Sequence, residues 1–143
     1  MRHKSNKWRS LEQLLLFAPV GTKRALNAVM VQLLIKLVAP VNGAIDLVHA
    51  LRIVIRPAQQ ARGCRCAQIY QCVDDDRQLE YVEEWEDGDE LRGQFGSERF
   101  VRLFELLETS AERPVVELRV ISETHGLEYF VPAVPGGTSS SVA

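Results

Sequence analysis

The stretch of sequence that decides the fold is CRCAQIYQCVDDDRQLEYVEEWE, residues 64–86. Residues 64–73 and residues 78–86 both favour strands, because β-branched and aromatic side chains recur in them and polar positions alternate with apolar ones. The apolar positions on one face of the first strand are Ala67, Ile69 and Val73. Three aspartates, residues 74–76, form a polar turn between the two strands. The stretch therefore predicts a hairpin at the centre of the fold.

The segment before the hairpin predicts a strand and then a helix. Residues 31–38 are rich in branched apolar side chains, and Pro40 ends this strand. Asn42 can cap the helix that follows, and Pro57 is expected to end or bend it. The apolar residues of this helix recur at spacings of three and four: Ala44, Ile45, Val48, Leu51, Ile55 and Ala58. Such spacing puts one apolar face of the helix against the sheet.

The segment after the hairpin again predicts helix and then strand. Asp87 caps a short helix in a capping-box-like pair with Glu90, and Ser97 caps a longer one. The apolar stripe of the longer helix consists of Phe100, Leu103, Phe104 and Leu107. Residues 115–122 predict a last long strand, and residues 127–131 a short terminal strand.

The element order is strand, helix, strand, strand, helix, strand, which is the split βαβ or ferredoxin-like arrangement of an α+β protein. It predicts a four-stranded antiparallel sheet with its helices on one face. Apolar residues point to both faces, as in residues 33–35. We therefore expect a second copy of the chain to cover the bare face in a symmetric homodimer.

The net charge of −2 joins two opposed segments. Residues 1–29 carry six Lys or Arg and one Glu, or +5, and the rest of the chain carries 11 basic and 18 acidic residues, or −7. An acidic body repels phosphate, so we expect no nucleic-acid partner. The sequence divides into a basic helical extension at 1–29, a domain at 30–131 and a flexible tail at 132–143.

The basic extension is expected to fold against its own domain, with contact to an anionic membrane surface as the alternative. No run of 18 apolar residues in the sequence could span a membrane. Glu12 cuts short the apolar run that resembles a signal peptide. These features favour a cytoplasmic protein.

Metal binding is not expected, although three cysteines, Cys64, Cys66 and Cys72, lie within nine residues. The count is odd, and no nearby His or fourth Cys completes a zinc site. On a strand, the even spacing would place all three on one face as small apolar side chains. Residues 74–90 hold ten acids and one Arg, which we interpret as a solvated hairpin rather than a cation site.

Residues 30–123 resemble an antibiotic biosynthesis monooxygenase domain, a family that includes small quinol monooxygenases. The resemblance lies in LRIVIRPA at 51–58 running into Gly63, and in YVEEWE at 81–86, which contains the family's Glu-x-Trp unit. Leu91, Ser97 and Phe100 keep the spacing of the family's next helical region. The resemblance implies a dimeric α/β barrel that oxidises a small phenol or quinol with molecular oxygen, without metal or flavin cofactor.

Two positions depart from the family's pattern. Gln94 and Arg99 stand where many members carry histidines. In the related haem-degrading branch a Trp and a His act in this region, and Gln94 and Phe104 occupy the corresponding places here. We therefore do not expect haem degradation, and whether the chain is catalytic depends on other residues.

The candidate catalytic residues are Glu83, Trp85 and His49. Glu83 and Trp85 lie two apart on one strand and share a face, so they would offer a base beside a ring-packing surface. The alternative is a core tryptophan and a glutamate paired with an arginine, such as Arg52 or Arg102. His49 is either a pocket base or a histidine on the helix surface.

The candidate substrate-binding residues are Tyr70, Tyr81, Gln94, Phe95, Phe100 and Phe104. The two tyrosine hydroxyls and the Gln94 amide would hydrogen-bond a substrate oxygen, and the phenylalanines would line an apolar pocket. The predicted function is a cofactor-free monooxygenase acting on a small aromatic substrate. The alternative is a non-catalytic dimeric module of the same fold that binds a ligand or a partner.

Overall fold

The computed structural model describes residues 29–133. Predictions for residues 1–28 and for residues 134–143 lie outside this part of the chain. The strands are β1 (Met30–Val38), β2 (Cys64–Gln71), β3 (Gln78–Trp85) and β4 (Val115–Ile121). The α-helices are α1 (Ala44–Gln59), α2 (Gly88–Arg92) and α3 (Glu98–Leu107).

The four described strands form one antiparallel sheet in the order β2-β3-β1-β4. The segment β1–α1–β2 leaves a gap that β3 fills, and β4 then pairs with the other side of β1, which is the split βαβ arrangement predicted from the element order. Central strand β1 pairs Ile35 with Tyr81 of β3 on one side and with Val116 of β4 on the other.

The two faces of the sheet differ in their cover. The odd-numbered residues of β1 and β3 face the helices and are buried, whereas the even-numbered residues point to the opposite face, which we call the open face. The largest buried side chains on the helix-covered side include Trp85, Tyr81, Phe100, Leu33 and Leu51. One continuous core thus joins α1 and α3 to the sheet.

Helix α1 corrects two predictions. Asn42 does not cap it: the N-cap residue is Gly43, and Asn42 takes a left-handed backbone conformation with φ of 63° in the preceding turn. Ile45 does not belong to the buried stripe but is 85% exposed, because Ala44 and Leu47 turn toward the sheet instead. Pro57 lies inside the helix, which continues for two further residues.

Strand β2 is shorter than predicted and contains a bulge near its start. Val73 lies beyond its end and is 99% exposed, so it does not share the buried face with Ala67. A bulge between Cys64 and Cys66 pairs them with adjacent residues of β3, Trp85 and Glu84. The two thiols therefore point to opposite faces, which corrects the prediction of a common one.

The turn into β2 requires glycine. Gly63 has a φ of 85°, and a Cβ atom at this position would lie 2.7 Å from the Glu90 carboxylate oxygen Oε2.

Both helix caps after the hairpin are confirmed: the Asp87 side chain accepts from the backbone N–H of Asp89, and that of Ser97 from the backbone N–H of Phe100.

The predicted terminal strand is wrong. Leu127–Phe130 forms a 3₁₀ turn with exposed side chains instead of adding to the sheet. Its ring contacts are local, between neighbouring side chains such as Tyr129 and Phe130. Within residues 29–133, none of the helices has both the length and the apolar character needed to cross a membrane.

A buried carboxylate centre on strand β3

Among residues 29–133, Glu83 is the one acidic residue that is fully buried, and its carboxylate lies on the helix-covered face of the sheet with 0% of its surface exposed. Strand geometry puts Tyr81, Glu83 and Trp85 in a row on this face. The Tyr81 hydroxyl donates to Oε2 of Glu83 at 2.5 Å, and the Trp85 indole N–H donates to Oε1 at 3.0 Å. The prediction that Glu83 and Trp85 share a face is therefore confirmed at the level of direct contact.

Arg99, from the first turn of α3, completes this group. Its Nη1 donates to Oε2 of Glu83 at 2.5 Å and to the Tyr81 hydroxyl at 3.0 Å, and its Nη2 lies 3.4 Å from Oε1. The Arg99 side chain is only 7% exposed. Glu83 accepts from three side chains and donates to none, as a carboxylate ion does. We call these four residues, Tyr81, Glu83, Trp85 and Arg99, the carboxylate centre.

Further residues hold the Arg99 guanidinium in place. The Gln94 side-chain oxygen accepts from Nη2 at 3.1 Å, so the Gln94 amide helps to fix the position of the Arg99 guanidinium. The guanidinium carbon also stands 4.8 Å from the centre of the Phe100 ring, a cation–π contact. Phe95 and Phe104 pack against Phe100 at centroid distances of 5.4 and 6.1 Å. The three phenylalanines predicted to line a substrate pocket thus pack together beside the arginine.

Burial and charge change the protonation of the centre. Burial raises the pKa of Tyr81 far above its ordinary value, and the charge of Glu83 and its hydrogen bond raise it further. Burial alone would lower the pKa of Arg99, but the hydrogen bond and charge of Glu83 outweigh it, so the pKa is raised. Tyr81 thus keeps its proton and Arg99 keeps its charge throughout the neutral range.

Cys64 belongs to the same neighbourhood. Burial, followed by the negative charge of Glu83, raises the pKa of its thiol to about 11. The thiol is therefore protonated at neutral pH and is not a nucleophile there.

In the described part of the chain, no group of three or more His, Cys, Asp or Glu residues could hold a metal ion.

Two of the sequence-predicted site residues lie away from the carboxylate centre. His49 is exposed on α1. Tyr70 lies on the open face of the sheet, where its hydroxyl donates to the side-chain oxygen of Gln68. The arginine paired with Glu83 is Arg99, whereas Arg52 and Arg102 are exposed. The sequence identified Arg99 only as a replaced histidine, although its spacing of four residues from the buried Leu103 places it on the face of α3 that meets the sheet.

A cleft opens beside the carboxylate centre, between α1 and α3. Its volume is about 210 Å³. The lining residues are Ile53, Val54, Pro57, Glu98, Arg99 and Arg102. Arg99 therefore belongs both to the wall of this cleft and to the buried centre, and it is the only described residue of the centre that lines this cleft.

The fold and the buried centre define the class of protein: a split βαβ domain with a charged group between helices and sheet. Comparison with solved structures narrows this class. SnoaB, a cofactor-independent oxygenase from Streptomyces nogalater, superposes with a TM-score of 0.59 at 14% identity, over 68% of this chain and 97% of that one. An antibiotic biosynthesis monooxygenase superposes with a TM-score of 0.55 at 18% identity, over 62% and 95%.

A protein of Pseudomonas aeruginosa is similar at the same level, with a TM-score of 0.58 at 20% identity over 66% of this chain and 96% of that one. No family model and no curated protein sequence matches the chain. The domain therefore has the fold of the antibiotic biosynthesis monooxygenases, and identities of this size establish the fold alone.

Proposed function

We propose that this protein is a cofactor-independent oxygenase that converts a small phenol or quinol to a quinone. The observation that carries the proposal is the carboxylate centre: a buried carboxylate ion touching a tyrosine hydroxyl, an indole and an arginine, at the edge of an open cleft. The similarity in fold to a cofactor-independent oxygenase supports it.

The first chemical step is loss of the substrate's hydroxyl proton. The Tyr81 hydroxyl donates to Glu83 and accepts from Arg99, but Tyr81 and Glu83 are fully buried and neither lines the cleft. They therefore hold Arg99 at the cleft wall, and the substrate proton leaves to water in the open cleft. The cationic guanidinium of Arg99 then balances the phenolate that forms. In this proposal Arg99 supplies the positive charge, and Gln94 and Phe100 keep it in position.

The remaining atoms and electrons balance without a further reductant. The phenolate reduces molecular oxygen, one oxygen atom forms a bond to a ring carbon, and the other leaves as water. The ring carbon loses its hydrogen and the phenol becomes a quinone, so the substrate supplies all the electrons. The protein's contribution is to bind the ring and to stabilise the anion.

Oxygen consumption with a dihydroxynaphthalene under air tests the proposal. The test variants are Tyr81→Phe and Glu83→Gln, and the control is Glu84→Gln, which alters a carboxylate on the open face of the same strand. We expect turnover by the unaltered protein and by the control, and a loss of at least tenfold in both test variants. Tyr81→Phe removes one hydroxyl only, so it remains informative where Glu83→Gln fails to fold.

A second candidate function is a non-catalytic binding module. The observation in its favour is that Glu83 already accepts four hydrogen bonds, so its carboxylate is committed to the protein. A folded protein that binds an aromatic ligand, yet consumes no oxygen with any of a panel of phenols and quinols, would establish this function instead.

We further propose a homodimer formed through the open face. Leu34 and Val82 lie at its centre on neighbouring strands, with 5% and 7% of their surface exposed, and the exposed apolar surface of this face comes from Tyr70 and Val115 around them. The face also carries polar groups such as Glu84, so the interface would be mixed in character. Light scattering coupled to size-exclusion chromatography should give twice the monomer mass, and Val82→Lys should halve it. A monomer at micromolar concentration would refute the dimer.

A further inference from the structure

One donor of the carboxylate centre has no partner. The Nε–H of Arg99 is fully buried, and no acceptor lies within hydrogen-bonding distance among the described residues. The two terminal nitrogens of the same guanidinium are engaged by Glu83, Tyr81 and Gln94. A buried donor without an acceptor is destabilising, and native structures rarely retain one without a reason.

The cleft between α1 and α3 runs along this arginine. Its α1 wall is apolar and consists of Ile53, Val54 and Pro57. At about 210 Å³ it is smaller than the roughly 300–1,000 Å³ of pockets for drug-sized ligands, so it suits a single ring or two small fused rings. Shape and lining thus describe a slot for a small flat apolar group.

The α3 wall of the cleft is charged. Arg99 and Arg102 contribute two cations and Glu98 contributes one carboxylate. Arg99 is paired with Glu83, whereas Arg102 forms no ion pair with any described residue. A carboxylate seated here would pair with the exposed guanidinium of Arg102, with the bidentate geometry that arginine favours, and would lie beside Arg99. The Arg99 side chain must shift toward the cleft for its buried Nε–H to donate to this carboxylate.

We infer that the α1–α3 cleft binds the carboxylate of a small aromatic acid, with the ring on Ile53, Val54 and Pro57 and the carboxylate at Arg99 and Arg102. This inference rests on the proposed oxygenase and names its substrate as an aromatic acid with a hydroxyl next to the carboxylate, so that Arg99 lies beside both groups, rather than as a neutral quinol. Arg102 then selects for the acid, and Arg99 links the bound acid to the carboxylate centre.

Titration with benzoate and with benzamide tests the inference, because the two probes have nearly the same shape, only benzoate carries a negative charge, and neither is oxidised. Binding is followed by proton–nitrogen NMR, which also resolves the Nε–H of Arg99. We expect benzoate to bind about tenfold more tightly than benzamide, the difference that one charge-assisted hydrogen bond gives. We also expect the Arg99 Nε–H signal to shift with benzoate.

Variants at the cleft locate the effect. Arg102→Gln should abolish the preference for benzoate, and Glu98→Gln should strengthen benzoate binding by removing a like charge. Arg52→Gln is the matched control, an exposed arginine of α1 outside the lining, and it should leave both affinities unchanged. Equal affinity for the two probes, absence of binding, an unmoved Arg99 signal, or a preference that survives Arg102→Gln would overturn the inference.

These outcomes are independent of turnover. Benzoate preference without oxygen consumption would refute the oxygenase and retain the acid-binding cleft. Oxygen consumption with neutral quinols and no benzoate preference would retain the oxygenase and refute the cleft.

Discussion

Glu83 and Glu84 are neighbours on β3 and meet opposite environments. Glu83 faces the helices, has no exposed surface and pairs with Arg99 at 2.5 Å. Glu84 faces the open side, is half-buried and accepts from the amide of Gln32 at 2.9 Å. Since successive side chains of a strand point to opposite faces, one step along the backbone decides whether a carboxylate is desolvated.

The comparison extends to the charged groups around each residue. On the helix-covered face, the carboxylate centre contains one ion pair, Arg99 with Glu83, and the two side chains are 7% and 0% exposed. On the open face, the pair of Arg119 and Glu117 is half exposed, and Arg119 lies 3.5 Å from Gln32. Exposed pairs contribute little to stability, whereas removing one member of a buried pair is costly. The same residue types therefore have different energetic roles on the two faces.

The largest expected effect comes from Glu83→Gln. The substitution leaves the buried Arg99 cation without a counter-charge, so the free energy of unfolding should fall by about 3–5 kcal/mol in urea denaturation. Adding Arg99→Met should recover part of that loss, because removing both charges is less costly than removing one. Additive losses in the double variant would show that the two residues do not act as a pair.

The next largest effect is expected in thiol labelling, as a difference in reaction rate between Cys64 at the start of β2 and Cys72 just after its end. At about pH 8, a thiol with a pKa of about 11 is thiolate roughly once in a thousand molecules, so Cys64 should react slowly with iodoacetamide. Cys72 lies exposed after β2 and should react first, as measured by mass spectrometry of timed digests. Equal labelling rates for Cys64 and Cys72 would contradict the burial of Cys64 beside the carboxylate centre.

Tyr81→Phe should have a smaller effect, about 1–2 kcal/mol, because one buried hydroxyl is lost. The effect has a pH dependence. The pKa of Tyr81 is raised in the folded protein, so its contribution is fully present below the unfolded value near 10 and is lost as pH rises beyond it. Stability measured from neutral to alkaline pH should therefore fall more steeply above about pH 10 for the unaltered protein than for Tyr81→Phe.

The smallest effect is expected for Glu84→Gln. An amide can replace the carboxylate in its contact with Gln32, and Glu84 is only half-buried in the single chain, so the change should stay within about 0.5 kcal/mol. The measurement is the same urea denaturation as for Glu83→Gln. A loss as large as that of Glu83→Gln would mean that the two faces do not differ in the way described above.

Much of the fold could be predicted from local pattern. Alternation in residues 78–86 placed Glu83 and Trp85 on one face, and the caps at Asp87 and Ser97 began their helices as expected. The failures were also local. Asn42 is as good a turn residue as a cap, and the run at 127–131 contains a 3₁₀ turn with exposed side chains instead of pairing with an edge strand.

The site was only partly predictable. The common face of Tyr81, Glu83 and Trp85 follows from strand alternation, because the period of two is a property of the backbone. Arg99 could not be assigned to Glu83, since 16 residues separate them and α3 must first pack on the sheet. The choice among Arg52, Arg99 and Arg102 depends on which helical face turns inward.

The sequence by itself thus determined the order of elements, the buried face of β3 and the presence of an acid there, because these follow from short-range periodicity and capping. Only the tertiary structure decided which cation neutralises Glu83, that the bulge sends Cys64 and Cys66 to opposite faces, and that α1 and α3 leave a cleft beside Arg99. Those features depend on contacts between distant segments, and packing, rather than local preference, selects them.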